Sequence, residues 1–356
     1  MKREFGKLPD SSSTAYMYTI CGGGLEAHIT DLGATLHRLY VPDGDGIPGD
    51  IVLGFDTPAD YIRSTTFFGT IIGRNSNRLK AGKFSLNGKA YQLGINDGSN
   101  NLHSGPDFFK IRLWSVELFS ENSICLCLNS ADGDQGFPGN ATIRVTYTLE
   151  NGGVLCVSYD AVCDQDTVFN LTNHSYFNLA GHDQPEKAMD MLLCMPAQFF
   201  TPADAESIPT GECRAVDGTP MDFRTPKPIG RDIGASYDAL TLQKGYDHNF
   251  AASVPVCAVL SHTATGRSMK VLTDCPGIQF YSGNFLAGER GKDGVRYCFR
   301  GGICLETQYF PNALNYAHWE QPITKAGQPY HSETKFVFSA ECKEAVNYRD
   351  AESHED

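Results

Sequence analysis

No stretch of this 356-residue chain approaches the roughly 20 apolar residues that a membrane-crossing helix needs. Cationic charge is scarce, with 29 Lys and Arg against 42 Asp and Glu and a net charge of −13. Such a surface repels phosphate backbones, and no basic stripe interrupts it, so no nucleic acid and no anionic membrane is expected as a partner. A neutral ligand is compatible; an anionic one would need a local cationic pocket. There is no CxxC pair and no Cys/His cluster at zinc spacing. The twelve cysteines therefore read as reduced thiols, because Cys125, Cys127, Cys156, Cys163, Cys194, Cys257, Cys275 and Cys304 mostly sit inside apolar runs. The segment Met1–Asp10 is charged at once and has no apolar core of a signal peptide, so the expected location is cytoplasmic.

Helical periodicity is also scarce. Short turns are expected at Pro202–Ile208 and Gln321–Ala326, and strands elsewhere. Ala141–Leu149 alternates apolar and polar residues with period two, and Asn151-Gly152-Gly153 turns it into Val154–Tyr159. Asn87-Gly88 joins Phe84–Leu86 to Ala90–Leu93, a strong hairpin signal because both residues tolerate positive φ. Further strands are expected over Ala27–Tyr40, Asp50–Phe55, Ile111–Leu118, Ser123–Ser130, Val256–Ser261, Ser268–Thr273, Ile278–Gly283 and Lys335–Ser339. Many short strands punctuated by Gly and Pro imply an all-β sandwich or barrel, and the pattern does not choose between them. With no linker or repeat, residues 1–356 read as one domain with its core over about 25–340.

Five segments hold polar residues that a plain β-core does not need: Gly73–Leu79, Asn96–Gly105, Asn170–Gly181, Gly245–Phe250 and Gly302–Ala313. Glu306 follows Ile303-Cys304-Leu305, so a carboxylate ends a strand expected to be buried on both faces. That is costly unless the group is paired or used. His174 lies among amides and aromatics in Asn-His-Ser-Tyr-Phe-Asn. Taken singly, each has an ordinary reading: a structural ion pair for Glu306, a packed His174, a solvated loop His103, surface charges at Arg78 and Asp247.

Taken together and in order, the five segments resemble the signature segments of the aldose 1-epimerase (galactose mutarotase) family. The resemblance spans roughly residues 25–340. It departs at Ser104-Gly105, where the family usually has two glycines, at Asn312, where Asp is common, and at Ser76 and Leu79. These departures bear on fine specificity and leave the charged and imidazole groups in place. The resemblance implies a large antiparallel β-sandwich with a sugar-binding cleft on one face. It implies His174 and Glu306 as the catalytic pair and Asn77, Arg78, His103, Tyr176, Asp247 and Gln279 as binding residues. No metal and no cofactor is implied; the partner is a small sugar, and the protein a monomer or homodimer.

Exchange of anomers requires the pyranose ring to open. A proton must leave the hydroxyl on C1 while another reaches the ring oxygen O5; the C1–O5 bond breaks, the aldehyde rotates, and the ring recloses. Positioned side chains contribute about 10²–10⁴-fold to such transfers. A carboxylate at its ordinary pKa is already a base near neutrality, so Glu306 suits O1. An imidazole gives or takes a proton, so His174 suits O5, and nearby carboxylates are expected to favour its charged form. Arg78 and, in the same segment, Arg74 are the cations near the motifs, too few for a sugar phosphate. A glycosidase needs two opposed carboxylates. A carbohydrate-binding or regulatory module on the same scaffold is the alternative that lacks catalysis.

Overall fold

In the computed structural model, residues 1–9, 12–252 and 255–341 are described. Three antiparallel sheets hold most of its strand residues. A five-stranded sheet runs from Lys2–Lys7 to Pro48–Asp50 in chain order. A nine-stranded sheet orders Ser115–Phe119, Ser123–Ser130, Ala141–Glu150, Val154–Cys163, Tyr330–Ala340, Arg267–Thr273, Val256–His262, Leu192–Cys194 and Lys227–Pro228. A six-stranded sheet orders Tyr176–Phe177, Ile303–Gln308, Gly277–Tyr281, Asp247–Ala251, Phe199–Thr201 and Arg214–Ala215.

The alternation in Ala141–Glu150 does what period two requires, with every odd residue buried and every even one half-buried. Its buried residues Ile143, Val145 and Tyr147 join one core with Leu36 of the five-stranded sheet and Phe250, Ile278, Phe280 and Leu305 of the six-stranded sheet. Phe177 packs against Phe336 at 5.2 Å between ring centres, which ties the six-stranded sheet to the nine-stranded one. The result is a sandwich, the architecture expected from the resemblance.

The structure corrects several boundaries. Ala27–Tyr40 is two strands, Leu25–Thr30 and Thr35–Pro42, because Gly33 and Ala34 adopt positive φ and turn the chain. Only Asp50 of Asp50–Phe55 lies in a named strand, Pro48–Asp50. Pro202–Ile208 holds a turn at Ala205-Glu206, and Gln321–Ala326 holds the short strand Ile323–Thr324 before a turn that begins at Ala326; among the described residues the α-helices are Pro58–Arg63 and Asp238–Gln243. The first is capped by Thr57, whose hydroxyl accepts from the Asp60 N–H, with Pro58 at the opening turn. No helix among the described residues is long and apolar enough to cross a membrane.

Candidate active site

The site begins as rungs of a ladder. Glu306 faces Gln279 on the neighbouring strand, and Gln279 faces Asn249 on the next. Two residues along, Cys304 faces both Tyr176 and Tyr281, and Tyr281 faces Asp247. Side chains that face each other across a sheet share a side, so these polar groups all stand on one face. The alternate residues Leu305, Phe280, Ile278 and Phe250 belong to the apolar core.

Loops close the walls. Thr172–Asn173 pairs with Ile71–Ile72 and delivers His174 beside the sheet. Arg78–Leu79 pairs with Asn101–Leu102, which brings Asn77, Arg78 and His103 together. Asn77, His103 and Ser104 all have positive φ, between 53° and 59°. Three non-glycine residues held this way in one wall are local strain concentrated beside the cleft.

The hollow so formed, the solvent-open space at its mouth included, is about 650 Å³. His174, Glu306, Asn77, Arg78, His103, Tyr176 and Asp247 line it, together with Thr65, Thr66, Phe67, Leu102, Tyr281, Phe285 and Leu286. Gln279 does not line it. Its amide stands one layer back and donates to Asp247 Oδ1 at 2.7 Å. Arg74 is also absent from the wall. Its guanidinium is fully buried and donates to the carbonyls of Ser130, Pro138 and Gly139 at 2.8–2.9 Å, which makes it a structural clamp. Asp97, which sequence reasoning missed, takes a 2.7 Å hydrogen bond from Arg78 Nε and aims the guanidinium. Tyr281 was missed as well, although it stands two residues from Gln279 on the same strand face.

His174 Nε2 lies 3.7 Å from Glu306 Oε1, and both residues are buried. The imidazole is stacked between Tyr176 at 5.1 Å and Phe67 at 5.6 Å, with His103 edge-on at 5.2 Å. These walls reverse the charge states expected from the sequence. Burial pushes the His174 pKa down to about 3. Burial, and then repulsion from Asp247, pushes Glu306 well above the usual carboxylate range, against a smaller opposing pull from Arg78. Burial also raises Asp247, which Arg78 and Gln279 partly offset. Burial therefore disfavours charge on either member of the pair.

Among the described residues, the polar atoms left without partners on this face include Glu306 Oε2, Gln279 Oε1 and both amide atoms of Asn249. A buried acceptor left unpaired costs about 1–3 kcal/mol. Hydroxyl groups of a bound ligand can supply the missing donor to Glu306. One ligand atom each from His103, His174 and Glu306 fall within 4.8 Å of one another, a spacing that a metal ion tolerates. The donor chemistry argues against it. His103 Nδ1 accepts the Asn77 backbone N–H at 3.1 Å, so the neutral ring carries its proton on Nε2. That nitrogen offers a donor, which a hydroxyl-rich ligand accepts and a metal ion does not.

The aldose 1-epimerase family model matches residues 16–337. The galactose mutarotase of Sus scrofa is 41% identical over 340 residues, covering 94% of this chain and 97% of the relative. The Homo sapiens galactose mutarotase is 39% identical over the same coverage, and the aldose 1-epimerase of Escherichia coli 33%. Among solved structures, the aldose epimerase homologue of C. elegans is 30% identical with a TM-score of 0.85, covering 92% of this chain and 99% of that one. With the sandwich, the ladder and the polar hollow already in place, these matches close the question of kinship: the chain belongs to the aldose 1-epimerase family.

Proposed function

We propose that His174 and Glu306 carry the reaction of this aldose 1-epimerase, the interconversion of the α and β anomers of a free aldohexose such as galactose or glucose. The observation behind the assignment is the 3.7 Å approach of His174 Nε2 to Glu306 Oε1 at the wall of a sugar-sized hollow, with Glu306 Oε2 unpartnered.

The pair works with one exchangeable proton. Burial favours that proton on Glu306 and a neutral His174. A bound sugar donates hydroxyl hydrogens to the carboxylate, stabilises its charge, and lets the proton pass to His174 Nε2. Glu306 then takes the proton of the C1 hydroxyl as Nε2 gives its own to O5, and the C1–O5 bond breaks. Rotation about C1–C2 turns the other carbonyl face toward O5. Reclosure returns both protons to their starting groups. Arg78, Asn77, His103 and Asp247 hold the ring hydroxyls, and Tyr176 forms a wall beneath the imidazole.

Arg78 is the one Lys or Arg among the lining residues, and Asp97 and Asp247 already face it at 2.7 and 3.9 Å. A sugar phosphate would find no free cation there, which favours neutral sugars. The free cysteines among the described residues suit a reducing compartment, so we take the enzyme to act in the cytoplasm. The deciding measurement is polarimetry of pure α-glucose and α-galactose. Optical rotation should relax much faster with the protein than in buffer alone; equal rates would leave a binding module as the reading.

A further inference from the structure

The reaction above asks one thing of His174 beyond its location. Nε2 must both lose and regain a proton during each turnover, so Nδ1 must hold its proton throughout. Something must pin Nδ1, and the neighbours of that nitrogen identify the group. Cys304 Sγ lies 3.5 Å from Nδ1, on the far side of the ring from Glu306. The His174 ring also meets its own backbone carbonyl, which only Nδ1 can reach. Both groups can accept a hydrogen from Nδ1. Cys304 is placed there by the ladder: it stands two residues before Glu306 on the same strand face, opposite Tyr176, whose ring stacks on the imidazole.

We propose that Cys304 is a positioning residue, whose sulfur accepts the Nδ1–H of His174 and thereby confines all proton exchange to Nε2, the nitrogen that faces Glu306. The sulfur acts as a thiol. Burial, together with Glu306 and Asp247 nearby, holds Cys304 well above the ordinary thiol pKa, against a smaller opposing pull from the side chain of Tyr176. No bond to sulfur forms or breaks. The inference rests on the assignment of His174 as the proton carrier.

Nitrogen-15 NMR of the imidazole at neutral pH, on the full chain without sugar, tests it directly. The native protein should show His174 protonated at Nδ1 and bare at Nε2. Cys304→Ala should populate the opposite tautomer and lower kcat by about tenfold, with KM changed less than twofold. Cys304→Ser keeps an acceptor of similar size and should restore most of both. A native protein protonated at Nε2 would overturn the proposal, as would an alanine variant with native tautomer and native kcat. Turnover of His174→Ala separates the two layers: if it stays near native, the assignment of His174 fails, whatever the tautomer shows.

Discussion

Asp50 and Glu306 are both acidic side chains sealed inside this molecule, and they keep opposite company. Asp50 meets Lys292 Nζ at 2.6 Å and Arg38 at 3.2 Å, and its other oxygen accepts the backbone N–H groups of Leu39 and Val52 at 3.1 and 3.3 Å. Lys292 completes its own set with the carbonyls of His37 and Val52 at 2.8 and 2.7 Å. Glu306 has a histidine at 3.7 Å and one oxygen with no partner. A buried acidic group whose every bond is made holds the fold together. One whose bonds are left open keeps its energy for something that has yet to arrive. Burial alone does not separate the two; the state of the hydrogen bonds does.

The sharpest way to test that contrast is to remove each centre and watch which property fails. Glu306→Gln and His174→Ala should lower kcat by about 10³-fold or more, with KM largely kept. Polarimetry at saturating sugar reads this, and near-native turnover would erase the distinction. Lys292→Ala should instead cost about 1.5–3 kcal/mol of stability, since it leaves Asp50 with Arg38 as its charged partner and frees the buried carbonyls of His37 and Val52. Urea unfolding measures this, while kcat per folded molecule should stay native; a loss below about 1 kcal/mol would put the Asp50 cluster in the same class as Glu306.

Smaller effects sharpen the picture. The acid limb of kcat/KM should lie above the usual carboxylate range, because Glu306 must be ionised in the productive complex and its pKa is raised. Asp247 raises that pKa and Arg78 lowers it. Asp247→Asn should therefore move the limb to lower pH and Arg78→Gln to higher pH, whatever happens to the absolute rates. Shifts in the reverse directions would show that other charges govern Glu306. Last, a carboxyl with a raised folded pKa is harmless to stability at low pH and costs stability as pH rises through that pKa. Glu306→Gln should match the native protein in acid and exceed its stability by about 1–2 kcal/mol in alkali. Calorimetry across pH reads the difference, and a gain independent of pH would assign it to something other than charge.

How much of this was legible in the sequence depends on which force set each feature. Ser123–Ser130 and the Asn87-Gly88 hairpin were readable because local alternation and turn chemistry decide them. The break inside Ala27–Tyr40 carried a signal in Gly33, overlooked because both halves alternate and Ala34, which shares the turn, has no turn preference. Helix Pro58–Arg63 carried a readable signal in Thr57-Pro58 and Asp60, overlooked because its six residues show little periodicity. His174, Glu306, Arg78 and His103 were singled out from their motifs, and they do meet in one hollow. Their charge states were beyond reach, because reference pKa values assume water, and Phe67, Tyr176 and the neighbouring strands remove it. The positions of Arg74 and Arg78 make the same point. Four residues apart, one clamps buried carbonyls and the other enters the cleft, and only the path of the backbone tells them apart.

The ladder that sets Glu306 opposite Gln279 and Gln279 opposite Asn249 limits how this protein can change over time. Gaining or losing a single residue within Ile303–Gln308 would turn every later side chain over, sending the carboxylate into oil and Leu305 or Thr307 toward the sugar. Lineages descended from such a chain are free to lengthen or trim the loops around the cleft. The strands beneath must be inherited at fixed length.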